Sequence, residues 1–169
     1  MIKILMAAGT FAMLAGCGQE AAKPVKAKAP KTLVAGEYEV TSEVTKLASA
    51  DKSTPATKLT MGGKEIIRAC VAADGTPDLA MFIETGDACT ATNSYIRSGR
   101  LSVQYTCNRP GKGDIYVNAD GNYTADGYKA LVTASSAFPG DGDYTLTRTL
   151  TARRLGDCPP GGPVAPAKL

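Results

Sequence analysis

Histidine and tryptophan are both absent from the 169 residues. Without histidine the chain lacks the commonest general base, the commonest zinc ligand and the base of most serine and cysteine triads. That absence weighs against an enzyme, and no catalytic residue and no cofactor is expected. No Cys-x-x-Cys pair occurs, so a zinc or dithiol redox centre finds no support. Aromatics make up only 6% of the chain, with three phenylalanines, which predicts a thin core. A net charge of +3 with no basic block interleaved with aromatics leaves no electrostatic footprint for nucleic acid. Long apolar runs are missing as well. The run Ile4 to Leu14 spans 11 residues, too short to cross a bilayer as a helix.

That short run has a specific setting. Lys3 precedes it, and Leu14-Ala15-Gly16-Cys17 follows. A positive start, an apolar stretch and small residues before a break are the layout of an export signal. A cysteine at the break is similar to a bacterial lipobox, in which Cys17 is acylated and becomes the mature N-terminus. Residues 1–16 are therefore expected to be a lipoprotein signal peptide, with Cys17 holding the protein to the membrane through lipid. Residues 17–34 carry Lys23, Lys26, Lys28 and Lys31, the prolines Pro24 and Pro30, and little apolar bulk. Such a segment cannot offset its ordering entropy and reads as a flexible tether, reaching on the order of 40 Å. Gly18 after the cysteine, in place of an acid, favours the outer membrane over the inner one, with the domain facing the periplasm.

Four cysteines remain: Cys70, Cys89, Cys107 and Cys158. An even number in an oxidising compartment predicts two disulfides. Leu101, Val103 and Tyr105 alternate with Ser102, Gln104 and Thr106, the period of a strand, and Ser98-Gly99 supplies a turn. A three-residue loop centred on Ser98 sets Cys89 opposite Cys107. The expected bridges are Cys89–Cys107 and, by remainder, Cys70–Cys158.

The domain is expected over residues 35–158, with a disordered tail over 159–169. Tyr38, Val40 and Val44 alternate with polar residues in a first strand. Leu59 to Val71 reads as a second strand or hairpin around Gly62-Gly63, with Ile66 and Ile67 near the core. Thr76-Pro77-Asp78 opens a short helix through Ile83, with Thr76 as cap. Further strands carry Ile115, Val117 and Ala119; Tyr128, Ala130, Val132 and Ala134; and Tyr144, Leu146 and Leu150. Ala119-Asp120-Gly121-Asn122 is expected to turn between two of them. The whole predicts an all-β domain with one short helix, an antiparallel meander forming a curled sheet or half-open barrel stapled by two disulfides.

Other clusters read as ordinary surface. Asn118, Asp120, Asn122 and Asp126 resemble a calcium loop, but Tyr123 and Lys129 stand where its glycine and final carboxylate belong; a hairpin turn accounts for them. Asp141-Gly142-Asp143 is another turn. Arg153 and Arg154 splay to opposite sides of a strand, and Glu37, Glu39 and Glu43 share a solvated face.

Several segments together resemble a known family. They are Gly36-Glu37-Tyr38-Glu39-Val40-Thr41, Cys70-Val71, Ile96-Arg97-Ser98-Gly99-Arg100-Leu101 with Thr106-Cys107, and Arg153-Arg154-Leu155-Gly156-Asp157-Cys158-Pro159. They are similar to the exported bacterial proteins grouped as domain-of-unknown-function family 3617, over about Gly36 to Pro159. Tyr38 stands where that family often has Trp. The resemblance implies the domain boundaries and the cysteine frame, and carries no catalytic residues.

Two functions follow as expectations. A tethered curled sheet could hold a lipid or other small apolar ligand against residues such as Val103, Tyr105, Tyr128 and Leu146, and so help maintain the envelope. Alternatively, the domain is a partner-binding module like the small β lipoproteins that inhibit lysozyme, of which Tyr105-Thr106-Cys107 is reminiscent.

Overall fold

The computed structural model describes residues 29–161. Cys17, the signal segment, most of the expected tether and the tail from 162 lie outside the described residues. Seven strands form one antiparallel sheet: β1 (Gly36–Ser49), β2 (Lys64–Val71), β3 (Ala88–Arg97), β4 (Arg100–Arg109), β5 (Gly113–Tyr123), β6 (Gly127–Ala137) and β7 (Tyr144–Gly156). Their order is β2-β1-β7-β6-β5-β4-β3. Successive hairpins carry β3 to β7, and β1 returns to pair with β7. The sheet curls into a half-barrel whose concave face is the core, as the alternation of inward apolar and outward polar residues requires. The fold is the all-β, curled antiparallel sheet with two disulfides that the sequence predicts.

The disulfides join Cys70 to Cys158 and Cys89 to Cys107. They staple the sheet's two edges: β3 to β4, and β2 to the segment after β7. The second pair is opposed for a reason the sequence reading missed. The β3–β4 loop has two residues, Ser98 and Gly99, both at positive φ (52° and 86°), the conformation that matches strand twist in a tight hairpin. Alone it would set Cys89 opposite Asn108. A bulge at Thr92, between the pairs Ala91–Tyr105 and Asn93–Gln104, shifts the register by one and brings Cys89 opposite Cys107.

Other expectations change. Ala119 to Asn122 do not turn: β5 runs through them, and the turn lies at 124–126. Gly121 belongs to the strand, where a Cβ would sit 2.1 Å from the Lys129 carbonyl oxygen; glycine there permits close approach of β6. Asn118, Asp120 and Asn122 therefore line the outer face of β5. Ile66 is 71% exposed, because neighbouring strand residues face opposite ways and Ile67 takes the inward side. Leu59 to Gly63 precede β2 without joining it. The short helix is a single 3-10 turn, Leu79–Met81, capped by Asp78 and not Thr76; Pro77 bridges to Val71 instead. Part of the segment assigned to the tether is packed: Leu33 is buried, Ser98 N donates to the Lys31 carbonyl, and the Tyr123 hydroxyl donates to Lys31 O at 3.0 Å.

Candidate functional site

The concave face is covered by one short segment, residues 76–85, and not by a second sheet. It leaves the end of β2, crosses the sheet's inner surface and returns to β3. Gly75 (φ +89°) and Gly86 (φ +103°) bound it, backbone conformations that other residues adopt at a cost. Its first foot is held by the Val71–Pro77 bridge and by Asp78 N donating to the Cys70 carbonyl at 2.9 Å. Its second foot is held by a charged cluster. Arg109, at the end of β4, meets Asp87 at 2.7 Å and Glu84 at 3.1 Å. Its guanidinium also lies 5.9 Å from the Tyr144 ring centroid. Glu84 further accepts from the Tyr144 hydroxyl at 3.0 Å and from Thr57 at 2.8 Å. These half-buried acids keep the Arg109 proton bound well above the usual range, Asp87 first among them.

Between its feet the segment meets the sheet through Met81 and Phe82, both fully buried. The Phe82 ring lies on Tyr105 and Tyr128, centroids 6.1 and 6.0 Å away. Tyr38 packs beyond, 6.1 Å from Tyr128. Burial pushes the Tyr105 and Tyr128 phenols well above their ordinary pKa, so both are protonated.

One charge sits in this apolar well. Arg148 of β7 is 2% exposed. Its guanidinium donates to the Phe82 carbonyl and, at 3.4 Å, to Ser42 Oγ. Among the described residues no carboxylate lies within ion-pair distance of it. The charges of Glu84 and Glu65 are felt there without bonding it, and Glu84 is occupied by Arg109, Tyr144 and Thr57. Burial lowers the pKa of Arg148. Its Nε and the Tyr128 hydroxyl are both buried with no hydrogen-bond partner among the described residues, an uncommon state for buried polar atoms.

Val103, Tyr105, Tyr128 and Leu146, expected to line a pocket, are all buried on this concave face. Phe82 fills the space in front of the two tyrosines. Two adjoining hollows, both meeting Lys58, Glu84 and Thr85, lie along the second half of the covering segment: about 210 Å³ reaching to Leu59, Ile67, Ala80 and Ile83, and about 260 Å³ reaching to Ala56, Gly86 and Arg109. The other singled-out residues lie elsewhere. Arg153 reaches outward to Glu39, which also meets Arg68; Glu43 meets Lys64; Arg154 turns the other way, to Ala35 O and Asp157. Asp141-Gly142-Asp143 forms the β6–β7 turn. Arg148 escaped the sequence reading, although the alternation that sends Leu146 and Leu150 inward sends Arg148 inward too.

A family model described as "Protein of unknown function (DUF3617)" matches residues 30–158. No curated protein and no solved structure matches the chain.

Proposed function

This chain belongs to the DUF3617 family, and from its own geometry we propose a lipid-anchored envelope protein that holds an apolar ligand in the concave face of its half-barrel. Lipid on Cys17 would fix the protein to the membrane, the lysine-rich segment would stand it off the surface, and no catalytic step is assigned. The observation that carries the ligand is the cover. A well lined by Tyr38, Tyr105, Tyr128 and Leu146 is closed by ten residues, 76–85, rooted at both feet and bounded by two positive-φ glycines. Phe82 occupies the well as an apolar guest would, and two adjoining hollows lie along the second half of the cover. Ligand sites of this kind are concave, mostly apolar and fitted with few polar groups.

The test is native mass spectrometry of the unlipidated chain, residues 18–169, which leaves out the lipid-bearing Cys17, exported to an oxidising compartment and purified without detergent. An excess mass removed by organic extraction is expected. A bare mass, both as purified and after incubation with extracted envelope lipids, overturns apolar binding and turns attention to protein partners. Tyr105-Thr106-Cys107 offers little to a lysozyme-inhibitor-like alternative, since Tyr105 and Cys107 are buried.

A further inference from the structure

Arg148 stands at the centre of the concave face with a burden the fold does not discharge. A guanidinium presents five N–H donors, and removing its charge from water is costly unless an anion and full hydrogen bonding compensate. Here it meets a main-chain carbonyl and one distant hydroxyl. Its Nε donor is buried and unused, as is the Tyr128 hydroxyl beyond it. An arginine kept only to fasten Phe82 would be an expensive clamp.

The group that Arg148 does hold is informative. Phe82 offers the sheet an oxygen for the guanidinium and an apolar ring for the tyrosine well. A carboxylate or phosphate ester on an apolar chain offers the same two features, with added charge and a second oxygen. Two oxygens can engage two guanidinium N–H groups at once, the geometry at which arginine excels.

Resting on the apolar-ligand proposal, we infer that Arg148 is the anion-recognising residue of the concave site. The ligand is an amphiphile with an anionic head, and Phe82 is the internal group it displaces. In the bound state the middle of the cover, residues 79–83, lifts from the well between feet that stay rooted through Asp78 on Cys70 and through Glu84 on Arg109. The head takes the place of the Phe82 carbonyl, the chain takes the place of its ring, and the unpartnered Tyr128 hydroxyl is the candidate second donor.

The experiment compares dodecanoate, dodecyl phosphate, dodecanol and inorganic phosphate, the amphiphiles kept below micelle formation, on the mature chain and on Arg148→Met and Arg148→Lys. The unaltered protein is expected to bind dodecanoate and dodecyl phosphate about tenfold or more tightly than dodecanol. Arg148→Met should bind all three at the dodecanol level, and Arg148→Lys should keep part of the preference. Intact disulfides and a cooperative melt establish that the variants fold. Hydrogen exchange at 76–85 should rise on binding, while strands β4 to β6 stay protected. Equal affinity for the three amphiphiles overturns anion recognition and leaves apolar binding standing. Failure of all three to bind removes apolar binding itself. Inorganic phosphate binding as tightly as dodecyl phosphate keeps the anion and overturns the lipid. Binding with no change in exchange at 76–85 overturns displacement of Phe82.

Discussion

Arg148 and Phe82 hold each other in the folded domain, and they oppose each other in stability. Arg148 costs desolvation that a carbonyl does not repay, so an apolar side chain of similar length should fit the same space at lower cost. Arg148→Met is therefore expected to stabilise the domain by about 1 kcal/mol or more, measured by denaturant unfolding, even as it removes the preference for anionic ligands. Phe82→Ala should do the reverse. It vacates the well between Tyr105 and Tyr128 and costs about 3 kcal/mol or more, as large-to-small changes in a core do. Saturating dodecanoate should restore more melting temperature to Phe82→Ala than it adds to the unaltered protein, since the variant has no ring to displace. Both side chains were within reach of the sequence, to different degrees. Ser42 lies between Val40 and Val44, and Arg148 between Leu146 and Leu150, so strict alternation places both inside. Phe82 was readable only as part of a short apolar run, because nothing local says which surface a 3-10 turn covers.

At the scale of elements, the strands were legible wherever polar and apolar residues alternate cleanly, as in β1, β6 and β7. Reading failed where a residue's local preference and its place in the sheet disagree. Asp120-Gly121-Asn122 has turn chemistry, yet pairing with β4 and β6 on both sides holds it extended. The β3–β4 hairpin combines two such features, a short loop and a bulge, whose effects on register compensate below the bulge. Two outcomes follow from it. Ser98 sits at φ 52°, a region where asparagine is better tolerated, so Ser98→Asn should raise stability by about 0.5 kcal/mol. Deleting Thr92 removes the extra residue of the bulge and leaves Ala91 opposite Tyr105, so the Cys89–Cys107 bridge should still form. Peptide mapping of the oxidised variant checks it, and a free thiol at either cysteine would contradict the register.

Across the whole molecule, hydrogen bonds tie the loop after β1 to the turn between β6 and β7. Asp51, in the loop after β1, accepts hydrogen bonds from Ser53 N at 2.9 Å, Gly142 N at 2.8 Å and Asp143 N at 3.0 Å. The bonds from Ser53, ahead of those from the β6–β7 turn, hold its carboxyl well below the usual carboxylate range. A carboxylate whose pKa is lowered by folding stabilises the fold at pH above its unfolded value, about 3.9. That stabilisation is lost as pH falls toward the folded value. Melting temperature should therefore drop as pH falls below about 4, and Asp51→Asn should flatten part of that drop.

The disulfides have a less obvious place. Cys70 precedes the covering segment and Cys89 follows it, so each foot of 76–85 runs into a disulfide-bonded residue, Cys70 joined to Cys158 beyond β7 and Cys89 joined to Cys107 of β4. The bridges close loops with sequence separations of 88 and 18, and loop entropy assigns them about 4.5 and about 3 kcal/mol. Replacing Cys70 and Cys158 by alanine should cost the more stability. It should also release β2, the edge strand of the sheet, together with the first foot of the cover that pairs with its end. Hydrogen exchange should then quicken at 64–85 while β4 to β7 stay protected. Loss of Cys89 and Cys107 leaves the second foot still gripped by Arg109 through Glu84 and Asp87, so its effect on exchange at 76–85 should be smaller. If exchange rose uniformly across the sheet in either variant, the bridges would serve the barrel as a whole and not the feet of its cover.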